Sequence, residues 1–204
     1  MDLARAERGD LADLLATLTP AQWEAPSLCA GWRVRDVVAH VFSYDELGPA
    51  ALVGRFLRGG ILLRRVNAVG VAAHTEHSTE DLLALARRHQ QPRGLTTAFG
   101  GKVALTDATI HHQDIRRPLG LPRDIPPDRL HVVLDFALTA PPLGAAKRIR
   151  GLTLVATDLD WTAGTGPVVE GPAEALLMAL AGRPGVVGEL TGDGQPTLAG
   201  RIGS

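Results

Sequence analysis

Apolar residues recur at three- and four-residue spacing through roughly the first 143 residues, which is the periodicity of amphipathic helices. The leucines within residues 3–18 follow this spacing and predict the first helix. The segment 78–81 (Ser-Thr-Glu-Asp) resembles a capping box, with aspartate in place of the usual glutamate, and predicts the start of a later helix. The full set of predicted helices covers residues 3–18, a short one around Trp23, and about 33–42, 56–73, 82–89, 101–117 and 127–136.

The periodicity changes after the segment Pro-Pro-Leu-Gly at residues 141–144, which we interpret as a linker. Beyond it, β-branched residues alternate with other apolar ones, and this pattern predicts short strands. The sequence therefore predicts an α+β fold, with a helical domain at residues 1–143 and a small α/β domain at residues 144–204. The elements predicted for the second domain are a strand at 152–156, short strand and turn units at 160–164 and 168–171, a helix at 172–181, and a last strand pair within the glycine-rich residues 188–202.

The composition is typical of a globular protein without a dominant charge. Of the 204 residues 45% are hydrophobic, and 21 basic residues nearly balance 22 acidic ones, which excludes a disordered chain. The net charge of −1 also argues against nucleic acid or an anionic membrane as the main partner, because both select a basic face.

The cysteine content and the apolar stretches indicate where the protein resides. A single cysteine, Cys29, excludes an internal disulfide and a cysteine-rich zinc module, and it indicates a reducing compartment. The N-terminus lacks the apolar core of a signal peptide, and the longest apolar stretches are too short to span a bilayer. We therefore expect a soluble, cytoplasmic protein with no membrane partner.

Three residues of the helix predicted at 101–117 carry the most informative pattern. Asp107, His111 and Asp114 are four and three positions apart, so they share one face of that helix. Apolar neighbours such as Ile110 indicate that this face points inward. Burial of a carboxylate costs several kcal/mol unless it is paired or bound to a cation. A divalent metal would offset that cost, because an Asp/His pair at this spacing presents an oxygen and a nitrogen to one ion.

A third ligand has to come from another helix, and His40 is the best candidate because it lies within an apolar run. Two imidazoles and one carboxylate would leave open positions for water or substrate, which is the ligand count of a catalytic site. Simpler interpretations stay open at this point: His40 as a core histidine, and Asp107 with His111 as a hydrogen-bonded helical pair. Asp114 would either hold the imidazole of a ligand or pair with an arginine.

The other candidate residues have less support from the sequence. His112 is expected on the neighbouring, exposed face, and His74 and His77 are expected in a loop. Cys29 precedes Ala-Gly-Trp in a loop, and we expect no base beside it. A small packing residue is therefore favoured over a nucleophile, which stays open. The sequence contains no GxSxG, P-loop or GxGxxG motif.

Residues 26–40, PSLCAGWRVRDVVAH, resemble a signature of the mycothiol-dependent maleylpyruvate isomerase family, which belongs to the DinB-like metal-binding helical bundles. Residues 107–114, D-x-x-x-H-x-x-D, resemble its second signature. Residues 164–183 resemble its smaller C-terminal domain. The resemblance thus extends through nearly the whole chain, although the two histidine blocks are specific to the superfamily and not to one reaction.

The resemblance implies a DinB-like four-helix bundle with a small C-terminal α/β domain and a zinc ion. It implies that His40, Asp107 and His111 hold the zinc, with aspartate where the family usually has glutamate. The shorter arm would weaken the site, change its denticity or shift the preferred metal. The resemblance also implies catalytic roles for Asp114 and Arg183. Asp114 would orient His111 or relay a proton, and Arg183 would pair with a carboxylate of the cofactor or the substrate.

The implied function is that of a zinc- and mycothiol-dependent enzyme, which activates the thiol cosubstrate as a metal-bound thiolate. In the isomerase the thiol would add to the double bond of maleylpyruvate, and rotation followed by elimination would yield fumarylpyruvate; a thiol S-transferase would use the same chemistry on another electrophile. The partners would be small molecules, and the protein a monomer or homodimer. The alternative is a non-catalytic bundle that binds a metal or small ligand.

Overall fold

A computed structural model describes residues 1–60 and 62–202 of the chain. These residues form two compact units, one that ends at Pro122 and one that begins at Arg123. The first unit is helical. Its helices are α1 (Asp2–Leu15), α2 (Pro20–Trp23), α3 (Val34–Ser43), α4 (Pro49–Gly59), α5 (Leu63–Ala72), α6 (Thr79–Arg88) and α7 (Lys102–Arg116), with a 3₁₀ segment at Gly94–Gly101 before α7.

Four of these helices, α1, α3, α6 and α7, pack against one another as the predicted four-helix bundle. The three- and four-residue spacing of the apolar side chains places them on the inner faces, and this confirms the helical pattern of the sequence. The bundle core contains Leu11 and Leu15 from α1, Val37, Val38, Val41 and Phe42 from α3, Leu82 and Leu85 from α6, and Ala108 and Ile115 from α7.

Two of the predicted helix starts are confirmed by their caps. The Ser78 hydroxyl accepts a hydrogen bond from the Asp81 backbone N–H, and the Asp81 carboxylate accepts one from the Ser78 backbone N–H. The shorter aspartate therefore completes the capping box before α6. Thr19 and Gln22 form the same arrangement at α2, where Pro20 occupies the first helical position.

The single helix predicted at about 56–73 is wrong, because the chain forms α4 and α5 as a helical hairpin. The break falls at Gly60, whose φ of 68° and ψ of −151° are readily adopted only by glycine. Ile61, within that predicted helix, lies outside the described residues. Gly70 on α5 leaves room for a side chain of α4, because a Cβ at this position would overlap the guanidinium of Arg55.

The second unit contains a three-stranded sheet with helices around it. Strand β1 is central, antiparallel to β2 and parallel to β3, with Leu154 opposite both Ala163 and Val169. The elements of this unit are α8 (Pro127–Thr139), a 3₁₀ turn (Pro141–Leu143), α9 (Ala145–Arg148), β1 (Thr153–Ala156), β2 (Thr162–Gly164), β3 (Val168–Gly171), α10 (Ala173–Leu180), a 3₁₀ turn (Pro184–Glu189) and α11 (Gln195–Ile202).

The division between the compact units does not coincide with the domain boundary predicted after Leu143. Helix α8 precedes that boundary, yet it packs against α10 of the second unit. The indole Nε1 of Trp161 also donates a 2.9 Å hydrogen bond to the Asp135 carboxylate on α8. The proline pair at residues 141–142 therefore lies inside the second unit as a 3₁₀ turn.

The strand pair predicted within residues 188–202 is wrong. Thr191 forms one antiparallel bridge with Glu170, and the chain then turns at Gly192, where φ is 97°. The turn leads directly into α11, which buries Leu198. Within residues 1–60 and 62–202, each helix is too short or too polar to cross a lipid bilayer.

Candidate metal centre

Helices α3 and α7 bring His40, Asp107 and His111 to one point in the first unit. The Asp107 Oδ1 atom lies 3.4 Å from His40 Nε2 and 3.6 Å from His111 Nε2. The ring centroids of the two histidines are 4.8 Å apart, and the ring planes are nearly perpendicular. All three ligand atoms lie within 4.8 Å of one another, as coordination of a single ion would require.

These three residues differ in exposure, and the difference shows from which side a ligand can enter. The side chain of His40 is 6% exposed and that of His111 is 12% exposed, whereas that of Asp107 is 34% exposed. The carboxylate is therefore the most solvent-accessible of the three candidate ligand groups, and the imidazoles are more buried. The donor set of two nitrogens and one oxygen fits a divalent cation such as Zn²⁺.

Asp114 holds the far side of the His111 ring. Its side chain is fully buried, and its Oδ2 lies 2.8 Å from His111 Nδ1. Because a carboxylate accepts hydrogen bonds, His111 donates through Nδ1 and presents Nε2 toward Asp107 and His40. Histidine ligands of metals are commonly oriented in this way by a carboxylate. Asp114 thus contacts the imidazole of a candidate ligand, which is one of the two roles considered for it.

The charges of the site stabilise a protonated His111 when no metal is bound. Desolvation by itself lowers the pKa of His111, but the charge of Asp107 and the hydrogen bond to Asp114 outweigh it and hold that pKa well above 6.5. Desolvation would raise the pKa of Asp107, yet the two histidines lower it to about 2. The pKa of His40 is lowered, chiefly by burial.

We therefore predict that metal binding displaces a proton from His111 and is linked to pH. The apparent affinity should rise about tenfold per pH unit from about pH 6 upward, until the raised pKa of His111 is passed. His40 contributes less to this slope than His111 does, because its pKa is lowered. Competition with a chromophoric chelator, corrected for the chelator's own protonation, measures the slope. An affinity that does not change with pH would remove His111 from the ligand set.

Cys29 lies closer to the site than the sequence indicated. Its Sγ donates to Asp114 Oδ2 at 3.1 Å and lies 3.5 Å from His111 Nδ1, so the expectation that no base stands beside it is wrong. The Leu28 backbone N–H donates a 3.0 Å hydrogen bond to the Asp114 backbone carbonyl, which attaches this loop to α7. A contact across more than eighty residues leaves no local pattern in the sequence.

His112 is fully buried, so its predicted exposure is wrong. Arg116 Nε donates to His112 Nε2 at 2.9 Å, which leaves Nδ1 to donate to Glu7 Oε1 at 2.9 Å. Helix α1 covers the face of α7 that carries His112. That face is therefore buried, as is Asp114 on the face that carries the candidate metal ligands. His74 does lie in the turn after α5 as predicted, but it is buried and bonded to the Gly70 carbonyl.

A buried arginine that the sequence did not single out is connected to the backbone of His40 through Ser43. Ser43 Oγ donates to the His40 carbonyl at 3.2 Å, and Arg55 Nη1 donates to Ser43 Oγ at 2.9 Å. The Arg55 guanidinium lies 3.8 Å above the ring of Tyr44. Burial is the main cause of the lowered pKa of His40, and the positive charge of Arg55 lowers that pKa further. Both favour the neutral imidazole, which is the form that binds metals.

Arg183 belongs to the second unit, in the segment between α10 and the 3₁₀ turn that follows it. Its Nη1 donates a 2.9 Å hydrogen bond to the Ala181 carbonyl. Its assignment as a binding or catalytic residue stays a prediction.

The sequence of the N-terminal part matches that of a known domain. Residues 4–94 match the mycothiol maleylpyruvate isomerase N-terminal domain. This part of the chain is therefore similar to the N-terminal domain of that family. The matched segment includes His40 and the Cys29 loop, whereas Asp107 and His111 lie beyond it, so their place in the site rests on the geometry above.

Two solved structures are similar to this chain in fold. A crystal structure of a mycothiol-dependent maleylpyruvate isomerase with a histidine-to-alanine mutation superimposes with a TM-score of 0.58 at 16% identity. A second crystal structure of such an isomerase gives 0.54, also at 16% identity. Both alignments cover 94% of this chain and 90% of the other, so the α+β architecture is shared along its length. A comparison with curated protein sequences gives no significant match.

Proposed function

We propose that this protein is a metal-dependent enzyme that activates mycothiol for addition to an electrophilic small molecule. The observation that carries the proposal is the convergence of His40, Asp107 and His111, with Asp114 oriented behind His111. Three protein ligands leave an open position for an exogenous group, which is the arrangement of a catalytic rather than a structural metal site. Zn²⁺ is the cation that we propose for this ligand set.

The side chains of the site have separate tasks in this proposal. A divalent cation held there would lower the pKa of a thiol that reaches the open position. Asp114 keeps the His111 proton on Nδ1, so Nε2 stays available as a ligand. The buried Arg55 favours neutral His40. Asp107 is the most exposed of the three ligands and marks the side from which the thiol enters.

We propose cis–trans isomerisation of maleylpyruvate as the reaction, since both compared structures are named as mycothiol-dependent maleylpyruvate isomerases. The thiol sulfur forms a bond to one alkene carbon, and the other carbon takes a proton. Rotation about the resulting single bond follows, and loss of that proton with cleavage of the C–S bond releases the trans product and the thiol. Arg183 would pair with a carboxylate of substrate or cofactor.

Turnover of defined substrates tests this proposal. The zinc-loaded protein is mixed with mycothiol and maleylpyruvate, and formation of fumarylpyruvate is followed by absorbance, with reactions lacking either zinc or mycothiol as controls. We expect product only when both are present. Reaction of mycothiol with bimane or chlorodinitrobenzene, without isomerisation, would instead assign a thiol S-transferase. Stoichiometric metal without any turnover would overturn the enzyme proposal and support the non-catalytic metal-binding bundle.

Substitution of Cys29 by serine tests whether the reacting thiol belongs to mycothiol or to the protein. The serine hydroxyl can still donate to Asp114, so the orientation of His111 should persist. We expect Cys29→Ser to keep mycothiol-dependent turnover within about tenfold of the wild type. Loss of a side chain that transfers a proton in the reaction typically lowers the rate by about 10²-fold or more, and we do not assign Cys29 such a role. A loss of more than a hundredfold, with metal content unchanged, would make Cys29 the reacting thiol.

A further inference from the structure

The second unit contains a pocket in which each charged lining residue among those described is cationic. It has a volume of about 410 Å³ and is lined by Gly144, Lys147, Arg148, Arg150 and Arg201. This volume lies within the usual range for sites that bind small molecules. Among these residues four carry a positive charge and none carries a carboxylate.

Arg148 is held in place by backbone on both sides. Its Nη1 donates to the carbonyl oxygens of Leu143 and Leu180, the latter at 2.7 Å. A Cβ on Gly182 would lie 2.6 Å from Arg148 Nη2, so only a glycine at this position leaves room for the guanidinium. Gly182 also has a φ of 80°, which other residues rarely adopt.

A second arginine binds the backbone at the C-terminal end of α9 and just beyond it. Arg201 Nη1 donates to the carbonyl oxygens of Arg148 and Arg150, both at 2.7 Å. These bonds tie α11 to the segment that carries Lys147, Arg148 and Arg150. The backbone that carries Lys147, Arg148 and Arg150 is thus bonded together, and the guanidinium groups of Arg148 and Arg201 are held by backbone carbonyls.

Three of the cations in this pocket have no acidic partner among the residues that the structure describes. Within the described residues, Lys147, Arg148 and Arg150 form no ion pair with a carboxylate. Burial and the nearby positive charge of Arg183 lower the pKa of Arg148. The chain as a whole contains 22 acidic residues, so the absence of acids from the lining is a local feature rather than a consequence of composition.

We propose that this pocket is a binding site for a small dianion whose oxygen atoms accept hydrogen bonds from Lys147, Arg148 and Arg150. Guanidinium groups pair with phosphate and with carboxylate oxygens in the same forked geometry, so a phosphate group and a dicarboxylate share this chemistry. The proposal is independent of the metal site, because all of its residues belong to the second unit.

Calorimetric titration of the whole protein with inorganic phosphate and, separately, with succinate tests the proposal at low ionic strength. The double variant Lys147→Gln/Arg150→Gln removes two charges without removing a side-chain hydrogen bond seen in the structure, so it should fold normally. We expect it to weaken binding at least about tenfold, and added salt to weaken binding to the wild type. Arg87→Gln, a single charge removed from the exposed side of α6, is the control and should bind like the wild type.

Each outcome decides the proposal. Saturable binding of phosphate alone assigns the pocket to a phosphate-bearing ligand, and binding of succinate alone assigns it to a dicarboxylate; either supports the site if the double variant weakens it. Equal binding by the wild type and the double variant, or no binding of either anion, overturns it. His40→Ala should leave anion binding unchanged, so this proposal can fail or succeed separately from the proposed enzyme function.

Discussion

Replacement of His40 or His111 by alanine is expected to abolish stoichiometric binding of a divalent metal. Each variant removes one of three ligand atoms that converge within 4.8 Å. Loss of a residue that only orients a ligand commonly weakens metal affinity by about 10- to 100-fold, so loss of a direct ligand should exceed about 100-fold. Elemental analysis of the purified variants, together with chelator competition, measures the loss. Turnover with mycothiol should fall with it.

A histidine away from the site provides the matched control. His131 lies on α8 in the second unit, and its side chain is 47% exposed. His131→Ala should keep the metal content of the wild type. Circular dichroism verifies that the His40 and His111 variants retain their helices. If either variant keeps one metal ion per chain at wild-type affinity, that histidine is not a ligand.

The replacement of Asp45 by alanine is expected to cause the largest loss of stability. Asp45 and Arg8 form a 2.9 Å ion pair, and both side chains are completely buried. The same Asp45 oxygen also accepts hydrogen bonds from the Arg93 backbone N–H and the Thr96 hydroxyl. Removal of the carboxylate leaves a buried guanidinium without a counter-charge, which typically costs about 3–5 kcal/mol. Urea denaturation followed by circular dichroism measures the free energy of unfolding.

Two further variants determine whether the ion pair is the cause. Asp13→Ala removes an exposed carboxylate from α1, the helix that carries Arg8, and should change the free energy of unfolding by less than about 0.5 kcal/mol. The double variant Arg8→Met/Asp45→Leu removes both charges and should be more stable than Asp45→Ala. A loss below about 1 kcal/mol for Asp45→Ala would show that the pair is not needed for stability.

The residues that local pattern identified correctly are those whose neighbours lie within one or two helical turns. Helix α7 was predicted at 101–117 and spans Lys102–Arg116, because its apolar and polar residues alternate with the helical period. The cap at Ser78 was predicted for the same reason, since both partners are three residues apart. The common face of Asp107, His111 and Asp114 also follows from helical geometry alone.

The residues that were missed or misplaced are those whose partners come from elsewhere in the chain. His112 was expected to be exposed, but Glu7 of α1 lies against it. Cys29 was expected only to pack, but its loop is bonded to α7. Arg55 reaches His40 through Ser43 because Gly70 on another helix leaves room for it. None of these contacts produces a periodic signal.

The sequence alone determined the helical bundle, the small α/β part and the three candidate ligands of the metal site, because helical spacing and a family signature are local properties of the chain. The tertiary structure decided the rest. It showed that His40 of α3 meets Asp107 and His111 of α7. It also assigned α8 to the second unit and placed Lys147, Arg148, Arg150 and Arg201 around one pocket. Packing between distant segments determines burial, and burial determines which polar groups must find partners.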